Sequence, residues 1–163
     1  MAGAPSRALR DTKPMFASIV VATDGSATAA EAVRRAVALA EVHSADLHLV
    51  RAYKSSLAPA VAQGRDPASL PPPSDPEDIA ALDEVQQMLE ELRTRLAAGG
   101  VNVTTHALGY DAVTAILDVA RAEKADLIVV GNKGMRGPRP VLSSVPDVIA
   151  HRCTCDVLIV NTT

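Results

Sequence analysis

The chain has 163 residues, 48% of them hydrophobic and 21% charged, a globular composition with room for one core and none for a second domain. A formal net charge of -3 and a pI near 5.8 argue against a general nucleic-acid binder, whose phosphate contacts need a basic patch, and the aromatics Phe16, Tyr53 and Tyr110 are too few to stack bases. No apolar run reaches the ~20 residues of a bilayer span, and Met1 to Pro14 lacks the apolar stretch of a secretory signal, so the expected location is the cytoplasm, with no membrane contact.

Residues 1–14 read as a flexible tail ahead of one domain over 15–163. Phe16 to Ala22 is predicted as a central strand, stopped by Thr23-Asp24-Gly25-Ser26, with Ser26 placed to cap a helix. Ala29, Ala32, Val33, Ala36, Val37 and Ala40 then recur at helical spacing, and so many small residues permit close docking on a sheet. Leu47 to Ala52 is a second strand. From Tyr53 to Ser74 the pattern breaks at Pro59, Gly64, Pro67 and Pro71-Pro72-Pro73, and residues 54–74 are expected to form a long Pro-rich loop, a mobile surface excursion rather than a flap.

Asp75-Pro76-Glu77-Asp78 supplies a cap, a proline at the first helical position and acids suited to the positive end of a helix dipole. Leu82, Val85, Leu89, Leu92 and Leu96 carry that helix to Gly99-Gly100. Val101 to Leu108 gives a third strand, and Asp111 to Glu123 a helix through Val113, Ile116, Leu117 and Ala120. Asp126 to Val130 is an apolar strand that runs into Gly131-Asn132-Lys133-Gly134. Ser143-Ser144-Val145-Pro146 opens a last helix, and Asp156 to Val160 is the final strand.

Strands alternating with helices imply an α/β fold, a five-stranded parallel sheet with helices on both faces. Ligands of such sheets bind at the carboxyl ends of the strands where strand order reverses, and the ends of the first and fourth strands are the expected walls. Asp24, at the first of these tips, suits ribose hydroxyls or a divalent cation, and equally a turn. Gly131 and Gly134 let backbone N–H groups approach an anion. Ser143 and Ser144 offer hydroxyls at a helix start, either to phosphate or as ordinary caps. Lys133, Arg136 and Arg139 add positive charge. Cys153 and Cys155, with His151 nearby, are read as packing rather than as a metal site, since no second cysteine pair exists.

From these residues the chain resembles the universal stress proteins over nearly its whole length after the tail. Val21-Ala22-Thr23-Asp24-Gly25-Ser26 is similar to the family's first-strand motif. Glu123 to Gly131 resembles its fourth strand, and Ser144-Val145, His151 and Asp156 to Val160 its ending. The resemblance implies a Rossmann-like, adenine-nucleotide-binding fold in which G-x2-G-x9-G-[S/T] holds phosphates. Carried over, the phosphate residues are Gly131, Gly134 and Ser144, with Asp24 at the ribose and Ala52 at the adenine. Ala22, Thr23, Val130, Lys133 and Val145 match further contacts, made mostly through backbone. Eight residues rather than nine separate Gly134 from Ser143, which stands where the family has glycine, and Pro138 and Pro140 stiffen this loop.

The implied function is a stress-response sensor or switch that binds ATP or a related adenine nucleotide, with Mg or Mn held at Asp24 and at most slow hydrolysis. The alternatives are cyclic AMP binding, for which one phosphate needs less cradle, and a form without nucleotide that acts through its dimer and protein partners. A metabolic enzyme is a weaker fourth reading. The resemblance also implies a homodimer through the last strand, whose apolar edge is otherwise open.

Overall fold

The computed structural model of the protein describes residues 14–132 and 144–161. In chain order the elements are β1 (Ser18–Ala22), α1 (Ala27–His43), β2 (Asp46–Ala52), α2 (Ala58–Ala62), a 3-10 turn (Pro67–Ser69), α3 (Pro76–Ala97), β3 (Val103–Leu108), α4 (Ala112–Ala122), β4 (Leu127–Gly131), α5 (Val145–Arg152) and β5 (Asp156–Val160). All five strands are parallel, in the order β3-β2-β1-β4-β5. Ile19 stands opposite Leu47 on one side and Leu127 on the other.

The central strands read as unbroken apolar runs because both their faces are covered. Successive side chains alternate, so Ile19 and Val21 join Leu47 and Leu49 beneath α1 and α3. Val20, Val50 and Ile128 meet Ile116 of α4 and Ile149 of α5 on the other face. Ile19, Val20 and Val21 retain no exposed surface. The alanines of α1 do what their size allows, with Ala32, Ala36 and Ala40 buried against the sheet.

Local signals place the helix starts. Ser26, Asp75 and Asp111 each accept a hydrogen bond from a first-turn N–H, those of Ala29, Glu77 and Thr114, at 3.2, 2.8 and 2.9 Å. β1 begins later than the apolar pattern indicates: Phe16 lies outside it, its ring edge-on to His43. The Asp126 carboxylate accepts the N–H groups of Ala17 and Ser18 at 2.6 and 3.0 Å, which ties the start of β1 to the start of β4.

The segment expected as an irregular loop over 54–74 is more ordered than its prolines indicate, since it contains α2 and the 3-10 turn. Pro59 and Pro67 sit where they are tolerated, within the first turn of each helical piece, and Pro71-Pro72-Pro73 lie beyond both pieces. Asp78 is the anchor. It is buried, and its carboxylate accepts the Ser56 N–H at 3.0 Å, the Ser56 hydroxyl at 2.5 Å and the Ser55 hydroxyl at 3.2 Å. The Ser56 hydroxyl, followed by the Ser56 N–H and the Ser55 hydroxyl, holds its pKa below the ordinary value against the opposing effect of burial. The chain also passes close to Gly109, where a Cβ would stand 2.8 Å from the Cβ of Ser55.

Candidate functional site

The chain lays down β1, β2 and β3 in one direction and then returns past β1 to add β4 and β5. The connections after β1 and β4 therefore leave to opposite faces, and a crevice opens between them at the carboxyl end of the sheet. A cleft of about 210 Å³ occupies that place. Its floor is Ala22, Val50, Ala52, Val130 and Gly131, and its walls come from the starts of α1, α4 and α5. Small floor residues leave the space; the turns above supply the polar groups.

Thr23 extends the ladder one residue past β1, its N–H donating to the Val50 carbonyl at 2.9 Å. Its hydroxyl accepts the Gly25 N–H at 3.2 Å, and the Asp24 carboxylate accepts the Ser26 N–H at 2.9 Å. The turn so closed favours glycine, for Gly25 has φ of +78°, a conformation that L side chains rarely adopt. Asp24 is thereby held exposed at the cleft rim. It is the one ionisable side chain among the described lining residues.

On the opposite wall, Gly131 is the last residue of β4 and Val145 the first of α5. Ser144 is buried at the N-cap position with φ of -64°, a conformation open to any residue, and its side chain makes no capping bond to α5. Pro146 follows at the second helical position and removes one N–H from that turn, and Asp147 places a carboxylate in it.

Of the residues predicted from sequence, Ala22, Thr23, Asp24, Ala52, Val130, Gly131 and Val145 all line this one cleft, and Ser144 adjoins it through Val145. Lys133, Gly134 and Ser143, with Arg136, Pro138, Arg139 and Pro140, lie outside the described residues. The sequence reading missed Thr28, Ala29, Val50, Ala112, Ile116 and Pro146 as lining residues, and saw Ser26 only as a cap. A usable signal existed: Ala112 and Ile116 open the helix after β3, and helices that follow parallel strands all start at the ligand end.

The cysteines behave as packing groups. Both are half-buried against the α4 face, and the Cys153 thiol donates to the Cys155 carbonyl at 3.2 Å. Burial, then the neighbouring Cys153 and Asp156, pushes the Cys155 thiol up to about 11. His151 is exposed, with Nδ1 2.8 Å from the Asp147 carbonyl oxygen.

The sequence model of the universal stress protein family matches residues 15–161. A universal stress protein of Mycobacterium tuberculosis strain H37Rv is 34% identical over 150 residues, 91% of this chain and 98% of that protein. One from Methanocaldococcus jannaschii is 30% identical over 156 residues, 94% of this chain and 86% of its own length. Among solved structures, a universal stress protein in complex with cAMP superposes with a TM-score of 0.66 and 30% identity, over 91% of this chain and 98% of that one. With the matched segment spanning both walls of the cleft and all five strands, the chain belongs to the universal stress protein family.

Proposed function

We propose that the chain binds an adenine nucleotide in the cleft between β1 and β4 and acts as a sensor or switch, with hydrolysis slow at most. The observation that carries this reading is the convergence of Asp24, Ala52 and Gly131 on one cleft at the point where strand order reverses. Asp24 suits the ribose hydroxyls, Val50, Ala52 and Ile116 offer adenine an aliphatic bed, and Gly131 with the start of α5 faces the phosphate side. A Mg or Mn ion that accompanied a polyphosphate would find its carboxylate in Asp24. A sensor fits better than a catalyst because no second ionisable group stands beside Asp24 among the described lining residues, so a base with an orienting partner is not assembled there.

Two features support cyclic AMP as the second reading. Pro146 and Asp147 make the start of α5 a poorer cradle for three phosphates than for one, and the relative solved with cAMP shares 30% of its sequence with this chain. Calorimetric titration of nucleotide-free protein with ATP, ADP and cyclic AMP, with and without magnesium, separates these readings. Saturable ATP binding supports the polyphosphate switch, and response to cyclic AMP alone moves the ligand to the second messenger. No heat from any of them, with folded protein, rejects nucleotide binding in favour of action through protein partners.

The inferred assembly is a homodimer through β5. This strand is an edge of the sheet and exposes Leu158, so a second copy is its simplest cover. Action in the cytoplasm accords with two free cysteines and with no helix among the described residues long and apolar enough to cross a membrane.

A further inference from the structure

A second constellation of chemistry-bearing side chains lies away from the cleft, on the α4 face of β2 and β3. His48 is opposite Thr104 and Val50 opposite His106, so the two histidines stand on the same face of neighbouring strands, displaced by two residues. Nδ1 of His48 is 3.2 Å from Nε2 of His106, with the rings tilted by 40°. His48 is 6% exposed, and His106 is half-buried near the sheet edge. Glu123, the C-cap residue of α4, completes the group: one ligand atom from each of the three residues lies within 4.8 Å of the others. Ala112, at the other end of α4, lines the nucleotide cleft, so about 16 Å of helix separates the two places at 1.5 Å per residue.

We propose that His48, His106 and Glu123 form a binding site for a Zn²⁺-class cation that clasps β2, edge strand β3 and the end of α4 together. Two imidazole nitrogens and one carboxylate oxygen are a donor set that Zn²⁺ favours, with a fourth position left for water. Nitrogens bound tetrahedrally at 2.0–2.1 Å stand roughly 3.3 Å apart, so the His48–His106 spacing already matches one edge of the coordination sphere. Glu123 is well placed to complete it. Its backbone is pinned by its N–H donating to the Val119 carbonyl at 2.9 Å and its carbonyl accepting the Ser18 hydroxyl at 3.1 Å. Its half-buried carboxylate keeps the rotation needed to close on the two rings. Neutral rings this close share one hydrogen between the facing nitrogens. On binding, the ring that donates it shifts to its other tautomer, so both lone pairs turn to the ion and no proton is lost.

The site is tested on the full, untagged chain after chelation and dialysis. Titration with ZnCl₂ should give one equivalent bound per chain and a raised melting temperature, and CoCl₂ should give the visible absorption of a tetrahedral nitrogen and oxygen site. His106→Gln and Glu123→Gln should each weaken Zn²⁺ binding by about tenfold or more, since even outer-shell changes cost that much. Cys153→Ser with Cys155→Ser should leave it unchanged. Stoichiometric binding that survives both His106→Gln and Glu123→Gln, or vanishes with the cysteines, overturns the assignment, as does the absence of binding to folded protein. Because His48→Gln opens the core, His48 is examined in the wild type by imidazole ¹⁵N resonances. Zn²⁺ should shift those of both His48 and His106, and unmoved resonances in saturated protein reject the site.

Discussion

Asp24 and Gly25 show how a single turn holds a carboxylate at a cleft rim. The carboxylate is fixed by the Ser26 N–H, the turn is permitted by positive φ at Gly25, and both follow from an Asp-Gly-Ser run at the end of a buried strand. If a ribose hydrogen-bonds to Asp24, Asp24→Ala should weaken nucleotide binding about tenfold or more, the worth of a hydrogen bond to a charged group, with the fold intact. Gly131→Val should weaken it comparably by filling the floor, and calorimetry showing unchanged Kd in both variants would reject the site. Burial also acts on titration, most strongly at Tyr110 and Cys155. Tyr110, buried and donating its hydroxyl to Asp118 at 3.4 Å, is pushed up to about 12, chiefly by desolvation, and Cys155 to about 11. Both groups are neutral when protonated and have raised pKa values in the fold, so their contribution is complete below the unfolded values of 9.0 and 10.0. It is lost as pH rises through 11 and 12. Urea midpoints should therefore fall from pH 9 upward, and iodoacetamide should label Cys155 slowly at pH 8 relative to unfolded protein.

Among the elements, α3 carries two different duties, one at its middle and one at its first turn. Toward its middle, Val85 and Leu89 fill the core against β2 and β3, and Leu89→Ala should cost about 2–5 kcal/mol in equilibrium unfolding. At its first turn, Asp78 holds the segment 53–57 through Ser55 and Ser56. Asp78→Ala should expose residues 54–74 to limited proteolysis while α3 itself remains helical by circular dichroism; cleavage no faster than in the wild type would remove Asp78 as the anchor. The acidic residue at a helix start was legible as dipole chemistry, but its side chain serves a contact 22 residues away that no local pattern announces. Helix α2 escaped the sequence reading for a related reason. Pro59 and Gly64 mark breaks, while Val61 gains its burial only because Tyr110, Ile116 and their neighbours lie beneath it.

At the scale of the molecule, strand order creates both the cleft and the exposed edges. β5 presents Leu158 with 36% of its surface exposed at one edge. If two copies meet there, Leu158→Lys should shift the protein from dimer to monomer in light scattering coupled to gel filtration at low micromolar concentration. A mass that does not change between the two proteins would place the interface elsewhere or remove it. At the other edge, β3 has β2 as its one strand partner among the described residues, which is why a cation shared by His48, His106 and Glu123 would add most to stability there.

Apart from α2 and the 3-10 turn, sequence alone determined the succession of strands and helices, because apolar periodicity and capping residues act between near neighbours: Ser26, Asp75 and Asp111 each cap the helix they begin. It also indicated Asp24 and Gly131 as candidate site residues, since both lie at strand tips and ligands of parallel sheets meet strand ends, while Ala52 came from the family resemblance. Tertiary structure decided which strands are neighbours. Only the order β3-β2-β1-β4-β5 brings Asp24 and Gly131 to opposite walls of one cleft, sets His48 beside His106, and turns the Asp126 carboxylate toward Ala17 and Ser18. These contacts join residues 58 to 109 positions apart, and a contact over that distance leaves no periodic trace in the chain; it exists only once the sheet has assembled.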